Sequence, residues 1–169
     1  MLNVPPDRRG LIHENDSASL IGFKQLKDEN FKKDLCLAAT ITLSAGSNSK
    51  ANRFLNDKNP ATFLTIKDVE KENIQIHFTK PVKVNCVVLK EFITDGQSVQ
   101  KFYLQVRNGE EFENYFHSTI GHKRIITFPA REAKDIFIYF KENKRAIKMA
   151  DVEAYLIDER LVEEPGMKK

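Results

Sequence analysis

The sequence predicts an all-β protein, an antiparallel jelly-roll β-sandwich preceded by a short helical appendage. Three observations carry this. From Leu35 onward, apolar residues either alternate with polar ones or form short continuous runs closed by turn residues. No long helical period recurs among those runs, and about eight of them follow one another without a βαβ alternation. With 169 residues, 41% hydrophobic and 30% charged, the chain fits one domain with an appendage and is too short for a large two-domain enzyme.

The elements follow in order. Pro5, Pro6 and Gly10 are breakers, Asp16 reads as an N-cap, and Leu20, Phe23 and Leu26 recur every three residues, predicting a helix over roughly 17–27. Residues 28–34 form a charged connector with the boundary near Phe31. Residues 1–30 therefore read as an appendage, 31–158 as the sandwich, and 159–169, with Pro165 and Gly166, as a frayed tail. The first strand-like run is 35–44, closed by Ala45, Gly46 and Ser47, and a polar loop continues to Thr62. Ile74, Ile76 and Phe78 alternate with Gln75 and His77, and Pro81 separates this run from 82–92. Residues 99–107 lead into a turn at Asn108 and Gly109, and 112–116, 124–128, 136–140 and 152–157 complete the strands.

Composition excludes several functions. Lys plus Arg number 27 against 24 Asp plus Glu, and the basic residues are scattered singly, so no surface for tracking nucleic-acid phosphates is indicated. No apolar run approaches the roughly 18 residues of a membrane span, and the first residues lack the basic start and apolar stretch of a secretory signal. Two cysteines, Cys36 and Cys86, are too few for a disulfide framework or a four-ligand zinc site, and each reads as a buried small hydrophobe. The four histidines show no metal-ligand spacing, and neither a nucleophile elbow nor a dinucleotide fingerprint is present. Glu91, Asp95, Glu110 and Glu111 offer carboxylates for acid/base work, but such strand-end charges read equally as solvated. With no Trp, any sugar-stacking surface must rest on the 12 Phe, the 4 Tyr and polar side chains.

The loop Asn56-Asp57-Lys58-Asn59-Pro60-Ala61-Thr62 is rich in hard oxygen donors. Asp57, Asn59 and Thr62, with Asp151 of the last strand, are candidate ligands for a structural Ca²⁺. The same residues suit an Asx turn in which Asp57 and Asn59 bond their own backbone, and Lys58 in the middle disfavours a dication. Both readings stand at this point.

Residues Leu2-Asn3-Val4-Pro5-Pro6-Asp7-Arg8-Arg9-Gly10-Leu11-Ile12-His13 resemble the segment that closes the catalytic barrel of family 29 glycoside hydrolases, the α-L-fucosidases, where an Asn-x-Pro-Pro-Asp-x-x-Gly-x-Ile motif precedes a helix leading to a C-terminal β-sandwich. The remainder resembles the discoidin-like (factor V/VIII C-type) sandwich, which is also the fold of family 32 carbohydrate-binding modules. Residues 56–64 are similar to its Asp-Gly-Asn-Pro-x-Thr-x-Trp loop, while 89–99, 120–125 and 149–155 are similar to runs of fucosidase sandwiches. Lys58 stands where that loop has Gly, Leu64 where it has Trp, and Ser98 where fucosidases often have Arg.

The resemblance implies a non-catalytic C-terminal domain of a longer enzyme, partnered with its own barrel and periplasmic or secreted with it, or lysosomal in an animal host, where Asn15-Asp16-Ser17 would be a glycosylation sequon. In that family the nucleophile lies on the barrel, upstream of residue 1. A fucosylated oligosaccharide is the implied ligand. Glu91, Gln97, His122, Lys123 and Arg124 are the candidate contacts, because carboxylates, amides and cationic donors read sugar hydroxyls. Glu91 and Arg124 read equally as a cross-strand ion pair. The competing expectation is a free-standing discoidin-type adhesion module that dips Phe54-Leu55 and Phe63-Leu64 into a membrane.

Overall fold

The computed structural model describes residues 14–44 and 51–162, so the barrel-like motif at 2–13 and most of the expected tail lie outside the described residues. The chain divides into two units, Met1–Lys32 and Lys33–Lys169. The first holds helix α1, Glu14–Asn30, which is longer than the predicted 17–27 at both ends. Asp16 lies within its first turn rather than at a cap, because the Glu, Ser, Ala, Lys and Gln on either side favour or tolerate helix as well as the apolar residues do. The helix closes where the Asn30 side-chain amide donates to the Leu26 carbonyl at 2.8 Å and the Phe31 N–H to that of Lys27 at 3.0 Å. Ile21 is exposed on it. None of the described helices is long and apolar enough to cross a membrane.

Every strand pairing among the described residues of the second unit is antiparallel. Its strands are β1 (Ala39–Leu43), β2 (Leu64–Ile66), β3 (Ile74–Glu91), β4 (Val99–Asn108), β5 (Glu111–His117), β6 (Arg124–Asn143) and β7 (Ile147–Tyr155). The first strand starts later than the apolar run suggests. Leu35–Ala38 is a 3₁₀ turn instead, because the Asp34 carboxylate accepts from the Cys36 N–H at 2.9 Å and caps it. Runs that read as separate strands are continuous, since 74–78 and 82–92 merge into β3, and 124–128 and 136–140 into β6. The β3–β6 register slips between His77 and Val82, around Pro81, which has no N–H to give the ladder, and again between Val84 and Cys86.

These irregular long strands belong to two layers. The first half of β3 pairs with β1 and with the second half of β6, which continues to β4 and β5. The second half of β3 pairs with β7, which carries β2, and with the start of β6. Between the layers lies one core, to which Ile76, Phe102, Leu104 and Ile138 come from one side and Val87, Leu89, Ile126 and Val152 from the other. Full burial of each such side chain stabilises the fold by about 1.5–3 kcal/mol. Leu64 is buried there opposite Met149. Leu55 is buried and Phe63 half-buried, which leaves Phe54 as the exposed apolar member of the two pairs read as membrane-dipping tips. Cys36 and Cys86 are free and buried, and burial pushes the Cys86 thiol up to about 12.

Candidate functional site

A cavity of about 490 Å³ opens where the second half of β3 ends. It is lined by Asn59 and Pro60 of the Asp57–Thr62 turn, by Phe92, Ile93 and Thr94, by His122, and by Lys58, Lys90 and Asp151. Phe92 is held as an apolar wall by packing on Phe63 with ring centroids 4.5 Å apart, and the Lys148 ammonium sits 5.0 Å above the Phe63 ring. A polyhydroxylated ring with one apolar face meets suitable partners here, namely aromatic surface, ammonium, carboxylate and imidazole.

Of the sugar-contact candidates, Glu91 and His122 line this cavity, whereas Gln97, Lys123 and Arg124 do not. Glu91 is occupied. A register shift between Lys90 and Glu91 turns it inward, where one carboxylate oxygen accepts from the Ser98 N–H at 2.7 Å and the Val99 N–H at 3.0 Å. The other accepts from the Gly121 N–H at 3.1 Å. Glu91 thus fastens three loop amides, and the expected ion pair with Arg124 gives way to them, Arg124 standing opposite Leu89 in the register. Gln97 donates to the Val99 carbonyl at 3.4 Å, and His122 and Lys123 are exposed.

Lys58, Lys90 and Asp151 of the cavity lining also belong to a cluster that sequence reading missed. Across β3 and β7, Cys86 faces Tyr155, Val88 faces Glu153 and Lys90 faces Asp151, on the side turned away from the core. The Lys90 ammonium donates to Glu153 Oε1 at 2.6 Å and Asp151 Oδ2 at 3.0 Å. Lys58 reaches in from the turn, bonding Asp34 and standing 3.3 Å from Glu153 Oε1 and 3.9 Å from Asp151 Oδ2. Asp34 also accepts from the Ala154 N–H at 3.1 Å, fixing its carboxylate against β7. Tyr155 donates its hydroxyl to Glu153 Oε2 at 2.5 Å. Asp34, Asp151 and Glu153 are only 8%, 4% and 7% exposed.

Burial pushes the Asp151 carboxyl up to about 6, helped by its neighbour Glu153. Burial works upward on Glu153 as well, but bonds from Lys90 and Tyr155 win and hold it down to about 2. The two lysines are raised, because the carboxylates facing them outweigh the opposing effect of burial. The period of two that places Asp151, Glu153 and Tyr155 on one strand face was a legible signal. Their meeting with Lys90, Lys58 and Asp34 was not, because it needs the register and a turn distant in sequence.

Of the calcium candidates, three share one turn. Asp57 accepts from the Asn59 N–H at 2.8 Å and the Thr62 hydroxyl at 2.6 Å, and Asn59 Oδ1 accepts from the Ala61 N–H at 3.0 Å. This is the Asx-turn arrangement. Asp151, the fourth, faces two ammonium groups instead. Among the described residues, no group of three or more His, Cys, Asp or Glu side chains is arranged to hold a metal ion.

No family model matches the chain. In sequence it is similar to α-L-fucosidase 1 of Arabidopsis thaliana, at 26% identity over 136 residues that cover 76% of this chain and 27% of the relative. In structure it is similar to a Ruminococcus gnavus GH29 fucosidase solved in complex with fucose, with a TM-score of 0.77, 22% identity, and coverage of 95% of this chain and 34% of that one. It is also similar to chitosan-binding module 1 of a chitosanase/glucanase from Paenibacillus sp. IK-5, with a TM-score of 0.60, 22% identity, and coverage of 73% of this chain and 98% of the module. The chain is therefore homologous to α-L-fucosidases and shares the fold of the matching region of family 29 enzymes, spanning about a quarter of the length of the curated relative.

Proposed function

We propose that this chain is the non-catalytic C-terminal β-sandwich of a family 29 α-L-fucosidase, supporting the catalytic barrel and holding fucosylated glycans at the cavity beside Lys90 and His122, in a periplasmic or secreted enzyme. The observation that carries the reading is the homology to α-L-fucosidases along 76% of the chain.

The chemistry of the carboxylates supports the non-catalytic part. A retaining glycosidase needs two carboxyl groups about 5 Å apart, one of them free to attack the sugar. Asp151 and Glu153 have affinities for protons pushed apart, as an acid and a base would, yet both Glu153 oxygens are taken, one by Lys90 and the other by Tyr155. Such a pair fixes structure. The fold likeness to a chitosan-binding module supports the glycan-holding part, since that sandwich is a binding module in its own right. No Ca²⁺ is proposed at Asp57, Asn59, Thr62 and Asp151, because turn donors and lysines already occupy their oxygens. Membrane adhesion is the weaker alternative, because Leu55 and Leu64 are core residues.

The test is an NMR titration of the chain with L-fucose and a fucosylated oligosaccharide, alongside an aryl α-L-fucoside hydrolysis assay. The amides of Lys90, Phe92 and His122 are expected to shift, His122→Ala to weaken the response, and hydrolysis to stay at background. Saturating sugar that leaves those amides unmoved overturns glycan holding. Turnover abolished by a single substitution within residues 35–157 overturns the non-catalytic assignment.

A further inference from the structure

Lys58 combines three features. Among the described residues it is the one non-glycine residue with a positive φ, 60°, in the left-handed region where a β-carbon is disfavoured. Its side chain bends from that strained backbone into the nest of Asp34, Asp151 and Glu153. Its neighbours Asn59 and Pro60 line the cavity that Lys90 and Asp151 also line.

We propose that Lys58 is a tethered cation, a positioning residue that supplies the counter-charge the buried carboxylate nest requires and, by doing so, clamps the Asp57–Thr62 turn to β7 and sets the cavity wall. Three buried carboxylates faced by Lys90 alone would leave net negative charge out of water, and a buried charge is tolerated only when it is paired. The ammonium of Lys58 supplies a second positive charge from within the chain and cuts the excess from two negative charges to one. The strained backbone is held because the ion pairs over-determine it. The turn's own Asx bonds shape it locally but do not fasten it to the sheet, and the Lys58 ion pairs do. Cation supply and wall placement are thus one device, so the domain folds without a bound metal.

The cavity-wall part rests on the glycan-holding reading above, and the experiment separates the two. The full chain is compared with Lys58→Met, which removes the charge and keeps the strain, Lys58→Gly, which removes both, and Lys58→Arg, which keeps the charge. Expected are amide exchange at Asn59, Ala61 and Thr62 about tenfold faster in Lys58→Met, a lower melting temperature in Lys58→Met than in Lys58→Gly, near-native behaviour of Lys58→Arg, and no effect of EDTA on the native chain. Native exchange and melting in Lys58→Met overturn the proposal, as does a native chain that melts lower in EDTA, because a metal would then be supplying the charge. Titration with L-fucose completes the set. Loss of the response in Lys58→Met but not in Lys58→Arg supports the wall role, and an equal response in all variants overturns that role. Absence of a response in the native chain counts against the glycan reading alone, because the exchange and melting results judge Lys58 without any sugar.

Discussion

The outward side of the β2–β7–β3 layer buries charge, whereas the outward side of the β1–β3–β6–β4–β5 layer carries half-buried and exposed aromatic rings. On the first, Asp34, Asp151 and Glu153 lie almost out of solvent with Lys58 and Lys90. On the second, Tyr139, Tyr103 and Phe116 form a row across β6, β4 and β5, with ring centroids 4.9 and 5.1 Å apart, and Phe116 is 71% exposed. Beside them Arg107 lies over Phe112 and Phe137, and His77 and Gln75 share Asp135 at 2.7 and 3.0 Å. Apolar content is a poor guide to which side matters energetically. Charges taken out of water are expensive to unpair, while stacked rings that are already wet lose little when one is removed.

This contrast yields graded expectations. Lys90→Met, which leaves Asp151 and Glu153 without their shared ammonium, should cost about 3–5 kcal/mol by urea denaturation. A cost comparable to that of a ring truncation on the other side would erase the distinction.

The second expectation concerns pH. Glu153 is held down to about 2, so its contribution is fully present above the ordinary carboxylate range near 4.5 and is lost as pH falls toward 2. Asp151 is raised to about 6, so its contribution is fully present at low pH and is lost as pH rises from about 4 through 6. Asp151→Asn, which mimics the protonated form, should therefore flatten the stability profile between about pH 4 and 6, and Glu153→Gln should flatten it below about 4.5. An unchanged profile in both variants would break this link between burial and titration.

The smallest effects belong to the rings. Tyr139→Ala should cost about 0.5–1.5 kcal/mol beyond its lost burial, because the ring stacks on both Tyr103 and Phe137. Phe116→Ala, at the exposed end of the row, should stay within about 0.5 kcal/mol. A Phe116 cost as large as that of Tyr139 would mean that the row behaves as one buried unit.

Residues such as Ile74, Ile76 and Phe78 show how much of this was legible. Strict alternation requires one wet and one dry face, and β3 begins in that way. The continuous run Val84–Leu89 was equally readable as strand, but not as a strand buried on both sides, because periodicity does not report what covers the outer face. Pro81 marked an irregularity without revealing that β3 continues through it into a second layer. Glu91 was singled out as a sugar contact, but the three backbone N–H groups from which its carboxylate accepts were not legible, because Ser98, Val99 and Gly121 meet it only in the folded chain.

The sequence by itself determined the all-β class, most strand positions and the burial of the two cysteines, because each depends on residues within a few positions of one another, whereas it left the Asp57 loop open between a calcium site and an Asx turn. Tertiary structure alone decided that Asp34, Lys58, Lys90, Asp151 and Glu153 form one cluster beside the cavity. Their meeting depends on strand register and on a turn folding back over a sheet, and the attraction between opposite charges that holds them together is strengthened by burial, which no local pattern of residues encodes.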